Sequence, residues 1–343
     1  MNRCQVVNNV FKSFSIKANC VNTKSSDYYE IFELKLIDNC RIASIEKIGK
    51  ELQLALQIDT TPVFIPDYSS GYLQMIFVKR NSSKLNLSDI FTSKVLYNCE
   101  CQIGIDSFGE VINFDITKAP HLLVVGTTGS GKSVFLNVLI ANLVAMGNEA
   151  SVYLIDPKRV EFAVYEDAWM SSNINVVYHT YIDTILLLKK AIHTMNERYK
   201  WMAKKGYKSI KEINSKLQTI YIIIDEINDL IQKDVTGELS SMLCELARKS
   251  RAAGIHLIIA TQRASASVIN GHIKANFPTR IIFKVASAVE SRIVMDVNGA
   301  ERLSSRGDGI IFGYDGSSII RFKSAFVESS EVLTYTRHLH AVA

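Results

Sequence analysis

The chain has 343 residues, 48% hydrophobic and 21% charged, with a formal net charge of +5. That balance supports a buried core and excludes disordered, collagen-like and coiled-coil classes, and the length suits about two domains of roughly 150 residues each. Charge is balanced within residues 1–118, and the whole excess falls in residues 119–343, which hints at a polyanion partner for the second part. The longest uncharged run, Ser133 to Asn148, is too short to span a membrane, and the residues up to Cys20 carry Arg3, Lys12 and Lys17 without the apolar stretch of a secretory signal. A cytoplasmic protein with no membrane segment of its own is expected, tethered to a membrane only through a recruiting partner. The cysteines at 4, 20, 40, 99, 101 and 244 are scattered, and no second pair or histidine cluster completes a zinc site around Cys99 and Cys101. Reduced thiols are expected.

In chain order, residues 1–118 read as a smaller α+β domain. Ile31 to Leu36 alternates like a strand, Ile42, Ile45, Ile48, Leu52 and Leu56 recur at helical spacing, and Tyr72–Val78 and Cys101–Asp106 are further strand candidates. None of these carries visible chemistry, so a scaffold or oligomerisation role is expected. From Ala119 the texture changes. Apolar runs at His121–Val125, Ser151–Ile155, Thr219–Ile224, Ile255–Ala260 and Arg280–Val285 alternate with amphipathic stretches near 132–146, 181–204, 236–252 and 266–275. Strands alternating with helices predict a parallel sheet covered on both faces over residues 119–343.

The chemistry starts at Gly126, Thr127, Thr128, Gly129, Ser130, Gly131, Lys132 and Ser133, which fit G-x-x-x-x-G-K-[ST] between a strand and an apolar helix. Glycines let backbone N–H groups wrap phosphates at a helix N-terminus. Lys132 is expected at the β/γ-phosphates of ATP and the Ser133 hydroxyl on Mg²⁺. The strand Ile220–Ile224 ends in two carboxylates, Asp225 and Glu226. Asp225 suits the metal, and Glu226 suits polarising the attacking water, which favours hydrolysis. Gln262 at the tip of the next strand is a candidate γ-phosphate sensor, with an ordinary strand end as the alternative. The strand ending at Asp156, Pro157, Lys158 and Arg159 has no assignable role. Residues 189–216 are rich in lysine and arginine against only Glu197 and Glu212, as a solvated helix face would be. Arg263, Lys274 and Arg292 follow predicted strands, whose ends share one edge in such a sheet, so they are candidates to face one phosphate backbone.

These residues resemble the motor domain of the FtsK/SpoIIIE double-stranded DNA translocases. The likeness runs collinearly from His121 to Phe326 through the phosphate loop, Ile155–Lys158, Asn196–Tyr199, Ile224–Leu230, Lys249–His256, Ala260–Arg263, Ile273–Asn276, Pro278–Arg280 and Arg306–Asp308. Residues from about 30 to 118 look like the smaller domain that precedes that motor. The resemblance implies a RecA-like motor, assembled as a hexameric ring around duplex DNA, with ATP bound between subunits. It implies that Arg251, otherwise a helix-end cation, is the finger a neighbour inserts, and that Arg263, Lys274 and Arg292 lie on DNA-contacting loops. Ala264 stands where a proline is usual and Ala288 where a loop lysine is common; Met295–Gly299 and Leu303–Ser305 also depart, and the connection before Ile220 is short. The expectation is a motor without a membrane-spanning N-terminus before it and without a winged-helix sequence reader after it.

The expectation is therefore an α/β chain, a RecA-like P-loop NTPase motor behind a small α+β domain. It would work as an ATP-dependent double-stranded DNA translocase serving a plasmid, phage or integrative element. A secretion-type ATPase driving polypeptide export is the alternative, and a nucleotide-dependent module without turnover a third reading.

Overall fold

Strand alternation explains the first part of the chain. The computed structural model describes residues 2–79, 83–91, 100–166, 173–213, 217–314 and 318–340. Helix α1 (Arg3–Ser13) is followed by β1 (Ala18–Ser25), β2 (Tyr29–Leu36), α2 (Ile42–Lys47), α3 (Gly49–Leu56), β3 (Val63–Asp67) and β4 (Tyr72–Val78). The four strands form an antiparallel sheet in the order β1-β2-β4-β3. Successive side chains point to opposite faces of a sheet, and here both faces are apolar. Phe32, Leu34, Met75 and Phe77 share a cluster with Val7 and Phe11 of α1 and Leu52 of α3, whereas Tyr29, Ile31, Ile76 and Val78 join the main core. The helical spacing expected over Ile42–Leu56 is present, divided into two helices at Ile48.

After a short helix, α4 (Leu87–Ile90), the second sheet begins with β5 (Glu100–Asp106) and β6 (Val111–Asp115). It continues through β7 (His121–Val125), α5 (Lys132–Ala145), β8 (Ala150–Ile155), β9 (Ile174–Tyr178), α6 (Tyr181–Lys205) and β10 (Thr219–Ile224). Then come α7 (Ile227–Ile231), α8 (Glu238–Lys249), β11 (Ile255–Thr261), α9 (Gly271–Asn276), β12 (Thr279–Phe283) and α10 (Ala288–Met295). The series closes with β13 (Asp308–Tyr314), β14 (Ser318–Ser324) and α11 (Ser329–His340). Ten strands lie in the order β6-β5-β14-β13-β12-β7-β11-β10-β8-β9. The run from β12 to β9 is parallel, as the alternating pattern predicts, and β13, β14, β5 and β6 extend it antiparallel. Strands β5 and β6 thus belong to this sheet although they precede the boundary expected near residue 118.

Parallel strands are covered on both faces and read as continuous apolar runs; β7 and β11 are buried along their whole length. Helix α5 is apolar nearly all round because it is enclosed, packing on α11, β5 and β8. The helix expected near 266–275 is only α9, which starts where the Asn270 side chain accepts from the N–H of Ile273 at 3.0 Å.

One buried ion pair ties the two sheets together. Arg321 on β14 and Asp308 on β13 are fully buried and 2.8 Å apart, Arg321 Nη1 donates to the Ile76 carbonyl at 2.6 Å, and the Tyr29 hydroxyl donates to Asp308 at 3.1 Å. Every polar atom of the pair is used, which is the condition under which a buried pair is tolerated. Among the described residues no disulfide joins the cysteines, and Cys99 lies outside them. Among the same residues no helix is long and apolar enough to cross a membrane.

Candidate active site

Strand β7 lies centrally between β11 and β12, and its C-terminal end opens into the phosphate loop. Gly126 must be glycine: a Cβ there would lie 2.5 Å from Ser130 Oγ and 2.8 Å from Phe283 Cβ. Gly131 starts α5 at φ 111°, and a Cβ would meet the Gly307 nitrogen at 2.6 Å. The loop is braced from two sides. Thr127 donates through N–H and hydroxyl to the Lys284 carbonyl at 2.9 and 3.0 Å, and Gly307 N–H donates to the Ser130 carbonyl at 2.8 Å. The Arg306–Asp308 string thus serves as a wall of the loop. Among the described residues nothing hydrogen-bonds the buried Ser130 hydroxyl.

Lys132 is buried and its ammonium donates to Asp225 Oδ1, at the end of β10. Glu226 adopts a left-handed backbone at φ 57°, a strain on the order of 1–2 kcal/mol for a residue with a Cβ. That turn sends its carboxylate sideways to the tip of β11, where it accepts from the Thr261 hydroxyl at 2.8 Å and the Gln262 N–H at 2.9 Å. Gln262 in turn accepts from the Thr128 hydroxyl at 3.1 Å. Lys132, Asp225, Glu226 and Gln262, predicted from separate stretches, therefore meet at one strand-end crevice, where ligands bind in open α/β sheets.

A cavity of about 990 Å³ opens over the loop, lined among others by Lys84, Lys132, Lys284, Arg302, Arg306 and Lys323. A second, of about 460 Å³, lies on the Glu226 side and includes Lys158, Asp229 and Arg263. Thr127, Thr128 and Gln262 line both. The first is a cationic, backbone-lined pocket at a helix start, suited to a polyphosphate.

The oxygen donors at the start of α5 are hard ligands. They are the Ser133 hydroxyl, Asp225 and Glu161, which accepts from Ser133 Oγ at 2.6 Å. Among the described residues no three His, Cys, Asp or Glu side chains converge as a metal cage. Few protein oxygens beside a phosphate pocket fit Mg²⁺, which is held through one or two carboxylates plus substrate phosphates. Glu161 is absent from the sequence reading; only the strand ending at Asp156 pointed to that turn.

Arg251 lies elsewhere. It is exposed and precedes β11, and since Thr261 ends that strand beside the phosphate loop, the strand's length separates them, roughly 20 Å. Its loop is clamped by the Asn196–Tyr199 string on α6. Arg198 donates to the Ala253 and Gln218 carbonyls at 2.6 and 2.8 Å, and the Tyr199 hydroxyl donates to the Lys249 carbonyl. Next to it His121 and His256 are buried. Desolvation above all lowers their pKa values to about 3 and about 4, with Arg251 adding to the effect on both.

The three cations expected on one edge are divided. Arg263 leaves the C-terminal end of β11, but α9 carries the chain back toward the start of β12, as a crossover between parallel strands must. Lys274 therefore sits toward the other end, its carbonyl accepting from Arg280 at 3.1 Å and its ammonium 2.9 Å from Asp296. Arg292, one turn before Asp296 on α10, bonds Asn298 at 2.8 Å. In the basic α6 stretch, Lys189 pairs with Glu238 and Lys200 with Glu197 in solvent; Lys216 lies outside the described residues.

A model of the FtsK/SpoIIIE family matches residues 97–220 and 211–266. DNA translocase FtsK of Lactococcus lactis subsp. lactis (strain IL1403) is 32% identical over 356 residues, covering 95% of this chain. The chain belongs to the FtsK/SpoIIIE family. It is an FtsK-type ATPase, and it spans 45% of that relative's length. Among solved structures, the pCW3 conjugation coupling protein TcpA, in a monomer form with ATPγS, shares the fold at TM-score 0.69 and 22% identity, with both chains covered in full. The type VII secretion ATPase EccC of Thermomonospora curvata follows at TM-score 0.62 and 23% identity, over 75% of this chain and 34% of its own cytoplasmic domain.

Proposed function

We propose that this FtsK-type ATPase is an ATP-driven translocase of double-stranded DNA that works as a ring, with six subunits as the expected number. The observation that carries the reading is Glu226: its carboxylate lines the second cavity and is held by Thr261 and by Gln262, which lines both cavities. A triphosphate laid along the loop would present its γ-phosphate there, with Glu226 placed to orient and deprotonate the attacking water. Lys132 would leave Asp225 for the β/γ-phosphates, and the Thr128 and Gln262 contact would register whether the γ-phosphate is present. Ser133 and Asp225 would hold Mg²⁺, which when bound supplies charge neutralisation at the phosphate oxygens.

Arg251 is too far from its own loop to act on it and would serve a neighbour's site. The name DNA translocase, carried by the Lactococcus lactis relative, and the surplus of positive charge beyond residue 118 support duplex DNA as the track. A plasmid, phage or integrative-element substrate and a cytoplasmic setting belong to the same proposal.

The test is steady-state ATP hydrolysis with and without long duplex DNA, alongside Lys132→Ala. Stimulation by duplex, greater on long than on short DNA and lost in Lys132→Ala, is the expected result. Stimulation by an export-substrate peptide but not by duplex would replace the proposal with the secretion reading.

A further inference from the structure

The turn after β8 is built with more care than a connection requires. The fully buried Asp156 carboxylate accepts the N–H groups of Lys158, Val160 and Phe162 at 3.1, 2.8 and 2.9 Å, and the Asp156 carbonyl bonds His179 Nδ1 at 2.9 Å. Phe162 is buried, and the Tyr165 hydroxyl donates to Asn137 on α5 at 2.8 Å. Asn137 is four residues beyond Ser133, so turn and helix are joined along one face. Held between these anchors, Glu161 receives the Ser133 hydroxyl at 2.6 Å, the length of a charge-assisted bond to a carboxylate.

Two further facts bear on what Glu161 does. It lines the cationic cavity, yet among the described residues no cation pairs with it. An uncompensated carboxylate in a polyphosphate pocket repels the ligand unless a cation accompanies that ligand. Moreover, a serine hydroxyl has one proton and two lone pairs. Asp225, the neighbouring carboxylate, is engaged by Lys132, so the acceptor that fixes the Ser133 proton is Glu161.

We infer that Glu161 is a positioning residue for the metal of the nucleotide complex. By holding the proton of Ser133 it aims the serine lone pairs at the cation, and its charge makes the pocket favour metal-bound over metal-free ATP. The inference rests on the phosphate loop binding ATP. It gives the turn ending in Asp156 to Arg159 a function: Asp156 shapes the turn and Glu161 is its product.

The experiment measures ATPγS binding to the full chain by calorimetry, in Mg²⁺ and in EDTA, and Mn²⁺ binding to the ATPγS complex by electron paramagnetic resonance. Loss of such a supporting partner typically costs about 10–100-fold in metal affinity, and Glu161→Ala is expected to weaken Mn²⁺ binding by that factor. ATPγS binding in EDTA should be unchanged or tighter. Glu161→Gln, which keeps an acceptor oxygen, should recover part of the loss, and in a Ser133→Ala background Glu161→Ala should cost less than in the wild type. Equal weakening with and without metal would reduce Glu161 to a structural brace and overturn the inference. So would an unchanged Mn²⁺ affinity, or tighter Mg²⁺-dependent binding, which would make Glu161 a repulsive guard. If the wild type binds no ATPγS, or Lys132→Ala binds it equally well, the ATP reading fails and this inference with it.

Discussion

The two ends of the parallel sheet are made of similar residues used in opposite ways. At the C-terminal ends of β7, β10 and β11, charged groups converge within one chain: Lys132 meets Asp225, Glu226 reaches Gln262, and Glu161 holds Ser133. The backbone there is strained at Glu226, and cavities lie on both sides. At the N-terminal ends the buried histidines are held neutral, while Arg251 is exposed and, among the described residues, has no carboxylate partner. One end gathers its charged groups around the two cavities. The other presents a cation on a loop whose backbone is clamped by Arg198 and Tyr199. Active sites in such sheets sit outside the carboxyl ends of the strands, so under the proposed function Arg251 would act on the site of a second subunit.

The largest effect that would break this contrast is at Arg251. An arginine finger is worth about 10³–10⁵ in kcat, so Arg251→Ala should lose hydrolysis on that scale with ATPγS affinity retained. Mixing it with Lys132→Ala should restore some activity, because the dead site carries an intact finger. Mixtures as inactive as the separate variants would return Arg251 to being a helix-end cation. Next comes Glu226→Gln, expected to lower kcat by about 10²–10⁴, the range for a general base, again with binding intact. A parallel loss of ATPγS affinity would place Glu226 in binding instead.

The joint between the sheets gives the third test. Arg321→Ala leaves Asp308 buried and unpaired, a cost of about 3–5 kcal/mol, readable as a lower denaturation midpoint. The fourth test, smallest per pH unit for each residue, concerns the neutral histidines. Their folded pKa values, about 3 and about 4, lie below the ordinary 6.5. Between those limits the unfolded chain binds the extra protons. Stability should thus be fully present above pH 6.5 and fall as pH drops toward 4, by about 1.4 kcal/mol per pH unit for each histidine. Denaturation at pH 7 and pH 5 measures the slope, and a flat profile would mean that the histidines are charged in the fold.

Much of the active end was legible because its parts are contiguous. The phosphate loop is eight consecutive residues between a strand and a helix, and Asp225 and Glu226 close an unbroken apolar strand. The parallel core was legible for the same reason, each strand being a short apolar run, except that the edge strand β9 was not read from the sequence. Helix α1 was passed over although Val7 and Phe11 have helical spacing and Asn2 caps it. Arg251 came from family resemblance alone, since one arginine at a helix end has no periodicity or motif of its own.

What escaped depends on connections that return. Glu161 lies 28 residues from Ser133 and meets it only because Asp156 folds the turn over α5. Lys274 was grouped with Arg263 because both follow predicted strands, yet a parallel crossover carries them toward opposite ends of the sheet. Strands β5 and β6 were counted with the first domain, and only pairing with β14 assigns them to the second sheet. Local chemistry is written in neighbouring residues, because a loop or strand end is set by its own dihedrals and side chains. Which distant carboxylate meets which hydroxyl, and which cation lies at the far end of the sheet from the phosphate loop, is set by strand order and crossover direction, which no short stretch of sequence encodes.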